Sequence, residues 1–196
     1  MAEDELRDRL LDAAAEIFAE SGYEGARVQQ IAERAGMTTG AMYNRFSGKS
    51  ELLLEALDRH SEPLLDVLLQ AQLPTAEVLS ALAADLIDGT ESPGQALLFE
   101  SLLAARREPE LAQRLRPVLA DERSRLAGMV HGDQGEGRID AEVDVTSVVT
   151  FCQAVGLGMG LLRMIDAQLP DAHAWQELIM RLITAVEPPI EDRQGD

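Results

Sequence analysis

Apolar residues recur along this 196-residue chain at intervals of three and four positions, the spacing that places them on one face of an α-helix. Glycine and proline residues interrupt the pattern and divide it into segments. We therefore predict an all-α protein with about nine helices, near residues 6–21, 28–35, 39–46, 48–73, 75–88, 95–107, 110–131, 145–165 and 171–186. Pro63 is expected to kink the fourth helix and Pro117 the seventh. The glycine-rich stretch 131–138 is expected to be a mobile loop.

Residues 28–49 have the pattern of two short helices joined by a sharp turn. The first helix is indicated by apolar residues at helical spacing: Val28, Ile31, Ala32 and Ala35. Gly36 supplies the left-handed residue that commonly ends a helix, and Thr38 is placed to cap the next helix through its side-chain oxygen. Met42 and Phe46, four residues apart, are expected to face the core. The opposite face of the second helix is therefore expected to face the solvent.

That outward face is small, polar and without acidic residues, and it consists of Thr39, Gly40, Ala41, Tyr43, Asn44 and Arg45. Lys49 follows at the start of the next helix, where unpaired N–H groups and the helix dipole favour an anion. A recognition helix needs these properties because it must enter a groove of limited width without repelling phosphates. We interpret the segment as a helix-turn-helix for DNA, with an ordinary helical hairpin inside an all-α core as the alternative.

The first sixty residues also resemble the N-terminal DNA-binding domain of the TetR family of transcription regulators. The segments that carry the resemblance are Leu10 to Gly25, Ile31-Ala, Ala35-Gly-Met-Thr, Met42-Tyr-Asn-Arg-Phe and Lys49-Ser-Glu-Leu-Leu, in the family's order and spacing. The resemblance implies a three-helix DNA-binding domain in residues 1–48, with the motif at about 27–46. It further implies a helical ligand-binding and dimerisation domain in residues 49–187. The acidic, proline-containing residues 188–196 are expected to be disordered.

The resemblance also implies which residues meet DNA. They are Thr39, Gly40, Ala41, Tyr43, Asn44 and Arg45 with Thr38 beside them, Gln29 and the region of Arg27 from the preceding helix, and Lys49 on a phosphate. One position departs from the family pattern, because Ala26-Arg27 stands where the family usually has a capping Thr or Ser. A capping hydroxyl is lost and a guanidinium is gained, so Arg27 is expected either to bind the DNA backbone or to be solvated.

The net charge of −18 is unusual for a DNA-binding protein. Within residues 27–50, however, four basic residues stand against Glu33 alone, a net charge of +3. Exposed charges more than ~10 Å away are largely screened at ordinary salt. We therefore expect binding to depend on this local surface and on a specific site rather than on non-specific attraction.

Several other classes of protein are disfavoured. The single cysteine, Cys152, excludes an internal disulfide framework and fits a reducing cytoplasm. The chain opens without a signal peptide, and its longest uninterrupted apolar run, 154–162, is too short to span a membrane. The three histidines, His60, His131 and His173, lie far apart, and the sequence has neither a catalytic triad nor a nucleotide-binding fingerprint. We therefore expect a cytoplasmic protein that is not an enzyme and has no metal, cofactor or membrane contact.

The last two predicted helices carry more apolar surface than one subunit can cover. Residues 145–165 are apolar almost all round, whereas the final helix has a single apolar stripe. This pattern predicts a homodimer joined by a four-helix bundle, two helices from each subunit. The expected interface residues are Val149, Cys152, Gly156, Gly160, Trp175, Leu178, Ile179 and Leu182.

A ligand pocket is implied by the resemblance and fits the flexible apolar residues of the body. The candidate residues are Phe99, Glu100, Leu103, Phe151, Val155 and Met159, and plain core is the favoured alternative for the apolar ones. Glu100 places a carboxylate among apolar neighbours, where it could recognise a cationic or hydroxylated ligand. The alternative is that Glu100 pairs with an arginine such as Arg107.

Together these features predict a ligand-responsive transcriptional regulator. It would bind a near-palindromic operator in double-stranded DNA as a homodimer and be released by a small-molecule effector. Repression is the family's common mode, and activation stays open at this point. The alternative is a dimeric small-molecule binding protein whose helix-turn-helix makes protein contacts and has no DNA function.

Overall fold

The computed structural model describes residues 2–61, 67–68, 70–71, 73–88 and 92–188. Nine α-helices have their bounds within these residues, which contain no strand, and the predicted all-α fold is confirmed. The helices are α1 Ala2–Gly25, α2 Val28–Arg34, α3 Thr39–Tyr43, α4 Lys49–His60, α5 Thr75–Asp88, α6 Pro93–Ala105, α7 Pro109–Gly135, α8 Val145–Met164 and α9 Ala172–Thr184. The predicted kink at Pro63 and nearly all of the predicted tail 188–196 lie outside the described residues.

The chain divides into two compact units. One comprises residues 1–62 and 91–119, which include α1 to α4, α6 and the start of α7; the other comprises residues 63–90 and 120–196, which include α5, the rest of α7, α8 and α9. In the first unit, α6 packs against both α1 and α4. The helices α1 to α3, assigned from the sequence to a DNA-binding domain, therefore share a compact unit with α4, α6 and the start of α7.

Helix α1 supplies the centre of the core of the first unit. Leu10, Ala14 and Phe18, spaced four residues apart, are each 0% exposed, so one stripe of α1 is completely covered. The same cluster contains buried residues of α2, α3, α4 and α6: Ile31, Met42, Leu53 and Leu97. Burying one such Leu, Ile or Met side chain contributes about 1.5–3 kcal/mol. Packing of this kind holds α3 in place although the helix is only five residues long.

Close contacts at the C-terminal end of α4 fix its position in the first unit. Arg59 forms ion pairs with Asp8 at 2.9 Å and Asp12 at 2.7 Å, which join the end of α4 to α1. A Cβ atom on Gly94 would lie 2.2 Å from the carbonyl oxygen of His60, so α6 begins directly against the end of α4. Only glycine allows the two backbones to approach this closely.

In the second unit, polar contacts to backbone carbonyl groups of α5 join it to α8 and α9. The Trp175 indole on α9 donates to the Ala83 carbonyl oxygen on α5 at 3.0 Å, and Arg163 on α8 donates to the Asp85 carbonyl oxygen at 3.0 Å. A small apolar cluster of Ala83, Ile179 and Ile183 lies between α5 and α9. Much of α8 is left uncovered by this arrangement.

Helix α8 is long and apolar enough to cross a membrane by length and composition alone, and 17% of its most apolar window is buried. The expectation that no apolar stretch reaches this length was wrong, because it counted only the uninterrupted run 154–162. Core helices of globular proteins share this length and composition. These two properties therefore do not by themselves indicate a membrane protein.

Helix α7 continues beyond its predicted end at residue 131. It runs to Gly135, so the expectation of a mobile loop over 131–138 was wrong for its helical part. The reason is a contact distant in sequence: the buried Asp133 carboxylate accepts a hydrogen bond from the Thr75 amide at 2.6 Å and another from Arg138 Nε at 2.9 Å. These charge-assisted bonds outweigh the low helix propensity of the glycines.

Candidate DNA-binding surface

The turn between α2 and α3 requires glycine. Gly36 has φ +70°, and a Cβ atom there would lie 2.8 Å from Nη2 of Arg9, which donates to the Ala35 carbonyl oxygen. After this turn the Met37 amide returns to the Ala32 carbonyl oxygen at 2.8 Å. Backbone sterics and the Arg9 contact therefore both fix the direction in which the chain enters α3.

Helix α3 is capped at its start and anchored on its inner face. Thr38 Oγ1 accepts a hydrogen bond from the Ala41 amide at 3.2 Å, which confirms the predicted cap. Met42 is 0% and Phe46 2% exposed, so both face the core as predicted. On the outer side Tyr43 is 55% exposed, and Asn44 is exposed as well.

Helix α2 begins at Val28, and the side chain of its N-cap residue Arg27 does not cap it. The guanidinium has no acceptor atom, and the cap is made in the other direction, by the Arg27 amide donating to Gln30 Oε1 at 3.3 Å. The Arg27 and Gln29 side chains are exposed. Arg27 stands where the family usually has a capping Thr or Ser, and its guanidinium therefore takes no part in capping α2.

Lys49 lies at the first position of α4, as predicted, and its ammonium group turns towards the end of α1. Lys49 Nζ donates to the Tyr23 carbonyl oxygen at 2.6 Å and to the Ala26 carbonyl oxygen at 3.4 Å. It also lies 4.3 Å from the centroid of the Tyr23 ring, within cation–π range. An ammonium group has three N–H donors, so these two carbonyl groups leave one donor for a further acceptor.

Acidic residues next to the helix-turn-helix offset part of its positive charge. Arg34 is paired with Glu16 at 2.6 Å and Glu20 at 3.3 Å on α1, so it serves the contact between α1 and α2. At the start of α4, hydrogen bonds from the Ser47 hydroxyl and amide hold the pKa of Glu51 below its ordinary value. Arg27, Arg45 and Lys49 are the basic residues of the segment 27–50 besides Arg34.

The residues predicted to form a ligand pocket are divided between the two units. Phe99, Glu100 and Leu103 lie on α6 in the first, whereas Phe151, Val155 and Met159 lie on α8 in the second. Phe99 and Met159 are buried, whereas Leu103 and Phe151 are 61% and 51% exposed.

The expected pairing of Glu100 with Arg107 was wrong. Glu100 Oε2 accepts a hydrogen bond from the Tyr23 amide at 2.8 Å, and Arg107 Nη1 instead lies 3.6 Å from Glu24 Oε1. The physical reason is the reversal at Gly22, whose φ of +66° takes the next amide out of the helical ladder and leaves it in need of an acceptor. The only sequence signal for this contact is the Gly-Tyr pair at the end of α1.

Only some of the residues predicted for the dimer interface are exposed in a single subunit. Leu178 and Leu182 are 48% and 41% exposed, but Val149, Gly160 and Ile179 are already buried within one subunit. Cys152, Gly156 and Trp175 are half-buried, and burial raises the pKa of the Cys152 thiol. The interface residues chosen from the sequence did not include four exposed apolar residues: Phe151, Leu161 and Leu162 on α8 and Ile165 directly after it. Because α8 is apolar all round, the periodicity could not show which of its faces points inward.

An open groove of about 410 Å³ lies between α5 and α9 in the second unit. Its lining includes Glu77, Ser80, Gln176 and Met180, none of which was predicted as a pocket residue. Gln176 donates to the Ser80 hydroxyl at 2.8 Å across the groove.

Comparison with known proteins places the first four helices in a known family. Residues 10–56 match the family described as "Bacterial regulatory proteins, tetR family". The transcriptional activator FasR of Mycolicibacterium smegmatis is 36% identical over 119 residues, which cover 58% of this chain and 53% of FasR. The chain thus spans about half the length of this relative.

A second relative and a solved structure extend the likeness. The uncharacterized transcriptional regulator TtgW of Pseudomonas putida is 35% identical over 99 residues, covering 50% of this chain and 72% of TtgW. The transcriptional regulator FadR of Bacillus subtilis, solved in complex with stearoyl-CoA, aligns with a TM-score of 0.71 at 22% identity, covering 89% of this chain and 96% of FadR. That identity shows the fold alone. Taken with the match over α1 to α4, the TtgW alignment shows that the chain belongs to the TetR family of bacterial transcriptional regulators.

Proposed function

We propose that the protein is a ligand-responsive transcriptional repressor that binds a near-palindromic operator as a homodimer and is released by a small molecule. The observation that carries the proposal is the two-sided character of α3. Met42 and Phe46 fix its inner face in the core, while Tyr43 and Asn44 are exposed on its outer face. A short helix held in this way can enter the major groove with little loss of conformational freedom on binding.

The roles of the individual side chains follow from their chemistry. The exposed Thr38, Tyr43 and Asn44 carry hydrogen-bonding groups for base edges or phosphates. Gly40 and Ala41 keep the surface small enough for a close approach to the groove. Arg27, Gln29, Arg45 and Lys49 lie around α3 and are assigned to the DNA backbone.

This assignment is tested by measuring operator affinity for Tyr43→Ala combined with Lys49→Ala. Tyr43 is 55% exposed, so its substitution is expected to leave folding intact. We expect a loss of about tenfold or more in affinity, because a base contact and a phosphate contact are removed together. Unchanged affinity would refute the assignment. Loss of all DNA binding by the wild-type protein at low salt would favour the alternative of a dimeric ligand-binding protein.

We infer that the second copy covers the exposed apolar residues of α8 and α9. The exposed fraction lies between 41% and 73% for each of these residues: Phe151, Leu161 and Leu162 on α8, Ile165 directly after α8, and Leu178 and Leu182 on α9. So many large apolar side chains on two helices are typical of an interaction surface. A self-complementary surface of this kind leads to a closed two-fold dimer, and two recognition helices would then read successive major grooves ~34 Å apart.

We infer an effector that is apolar and either uncharged or cationic. The second unit contains six arginines and no lysine against eighteen acidic residues, so its field disfavours an anionic ligand. The FadR complex with stearoyl-CoA supports ligand binding by this fold, but the phosphates of that ligand suit a less acidic protein. By linkage, the effector weakens DNA binding by the same factor by which DNA weakens effector binding.

Repression is inferred because a dimer bound over a promoter excludes RNA polymerase. The relative FasR is named an activator, so activation is the competing outcome. A promoter–reporter fusion decides between them: deletion of the regulator raises expression if the protein represses and lowers it if the protein activates.

A further inference from the structure

Tyr23 is bound through all three of its polar groups by residues from other parts of the chain. Its amide donates to Glu100 Oε2 at 2.8 Å, and its carbonyl oxygen accepts from Lys49 Nζ at 2.6 Å. Its hydroxyl donates to Glu108 Oε2 at 2.6 Å and lies 2.7 Å from Ser50 Oγ. The side chain is only 3% exposed, so these are contacts of a buried residue.

The arrangement joins the first turn of α4 to the segment between α6 and α7. Lys49 and Ser50 are the first two residues of α4, and Glu108 directly precedes α7. Ser50 Oγ also lies 3.2 Å from Glu108 Oε2, so hydroxyl groups from α1 and α4 meet on one carboxylate oxygen. All these residues belong to the first compact unit.

The contacts of Tyr23 satisfy polar groups that the local backbone leaves without partners. Gly22 reverses the chain at φ +66° and exposes the Tyr23 amide, and a Cβ atom on Gly22 would lie 3.3 Å from Glu100 Oε2. A buried amide without an acceptor would lose the free energy of a hydrogen bond. Burial and the hydrogen bond to Glu108 raise the pKa of Tyr23 to about 12, so its hydroxyl is a neutral donor at physiological pH.

We propose that Tyr23 and Glu108 are positioning residues for DNA binding: the Glu108–Tyr23 hydrogen bond holds the carbonyl group that aligns Lys49 at the start of α4. The inference rests on the proposed function, in which Lys49 contacts a phosphate. When Glu108 moves away, the Tyr23 hydroxyl loses its acceptor. The first turn of α4 is then held less firmly, and the Lys49 ammonium moves. Operator affinity then depends on the segment between α6 and α7 although that segment supplies no DNA contact.

The substitutions that test this proposal are conservative. Tyr23→Phe removes the hydroxyl but keeps the ring that stacks on Phe18 and lies under Lys49. Glu108→Gln keeps the shape of the side chain and removes its charge. Glu110→Gln is the matched control, since it removes the same charge two residues away at an exposed position in the first turn of α7.

The first measurement is operator affinity in two backgrounds, wild type and Lys49→Met. In the wild-type background we expect Tyr23→Phe and Glu108→Gln to weaken binding about tenfold, the effect of one hydrogen bond to a charged group. In the Lys49→Met background the same substitutions are expected to change affinity by less than about twofold, because they act through Lys49. Equal effects in both backgrounds would overturn the proposal, as would an effect of Glu110→Gln equal to that of Glu108→Gln.

The second measurement does not require DNA. Lys49 is the only lysine in the sequence, so labelling with ¹³C-lysine gives one set of side-chain NMR signals. Since the ammonium lies 4.3 Å from the Tyr23 ring centroid, the neighbouring methylene protons report on its position through the ring current. We expect Tyr23→Phe and Glu108→Gln to shift these signals and Glu110→Gln to leave them in place.

The outcomes separate the inference from the proposed function. A lower melting temperature with an unchanged Lys49 signal would mean that Glu108 only stabilises the fold, and would overturn the inference while leaving the regulator intact. If Lys49→Met leaves operator affinity unchanged, the positioning role and the phosphate contact are both refuted, and the regulator stands. Failure of the wild-type protein to bind any DNA sequence, with the NMR shifts as expected, would refute the proposed function itself.

Discussion

Replacing Gly36 with alanine perturbs the turn that orients α3, and the structure sets the size of the effect. The residue has φ +70°, a conformation that costs roughly 1–2 kcal/mol for a residue with a Cβ atom. The added Cβ would lie 2.8 Å from Arg9 Nη2, so the hydrogen bond from Arg9 to the Ala35 carbonyl oxygen must shift. Weakening that charge-assisted bond adds about 1 kcal/mol. We therefore expect Gly36→Ala to lower the free energy of unfolding by about 2–3 kcal/mol.

Gly40→Ala is the matched control. Gly40 lies inside α3, and the nearest atom to an added Cβ is Thr38 Oγ1 at 4.0 Å, an ordinary contact. The change should raise the free energy of unfolding by about 0.5–1 kcal/mol through helix propensity. Because the added methyl group lies on the proposed DNA-facing side, operator affinity should fall although stability rises.

The assay is urea unfolding followed by circular dichroism at a fixed protein concentration, because the stability of the proposed dimer would depend on concentration. Operator affinity is measured by fluorescence anisotropy on the same samples. A Gly36→Ala variant within about 0.5 kcal/mol of the wild type would refute the account of the turn. A Gly40→Ala variant with unchanged operator affinity would refute the placement of α3 against DNA.

Three further predictions follow from other parts of the molecule. Phe151→Glu is expected to convert the proposed dimer to a monomer, as measured by light scattering. Val118→Glu, at an exposed apolar position in the first unit, should leave the oligomeric state unchanged. A Phe151→Glu variant that stays dimeric would show that the exposed face of α8 is not the dimer interface. The hydrogen bond from Arg59 holds the pKa of Asp12 below its ordinary 3.8, so the stability from this pair is present above pH 3.8 and is lost as pH falls through the lower folded value. Asp12→Asn should therefore destabilise the protein at pH 7 and match the wild type in strong acid, and a constant difference in urea unfolding across that range would contradict the assignment. An uncharged or cationic long-chain amphiphile should raise the melting temperature more than stearoyl-CoA does, and the reverse order in a thermal-shift assay would refute the charge argument.

Local patterns predicted the helix-turn-helix well because its determinants are close in sequence. Met42 and Phe46 are buried as their four-residue spacing indicates, and Thr38 caps α3 as its position before the apolar pattern indicates. The left-handed conformation of Gly36 was predicted from residue type alone. The cap and the turn depend on residues close in sequence, and helix geometry alone decides that Met42 and Phe46 share one face.

Contacts between distant residues were not predictable in the same way. Glu100 and Tyr23 are 77 residues apart, and the apolar neighbours of Glu100 indicated a ligand or an arginine as readily as the backbone amide it binds. Lys49 was assigned to a phosphate from its place at a helix start, but its contacts with the end of α1 depend on how α1 and α4 pack. The inward face of α8 could not be predicted either, because a helix that is apolar all round has no preferred side.

The decisive experiment is the selection of bound sequences from a random double-stranded DNA library by the purified protein at physiological salt. We expect an enriched near-palindrome whose half-site centres are about 10 base pairs, or a multiple of one helical turn, apart on the same face of the duplex. We also expect Tyr43→Ala to weaken or abolish the enrichment. A folded, dimeric protein that enriches no sequence, with or without prior removal of bound small molecules, would contradict the claim that this chain is an operator-binding regulator.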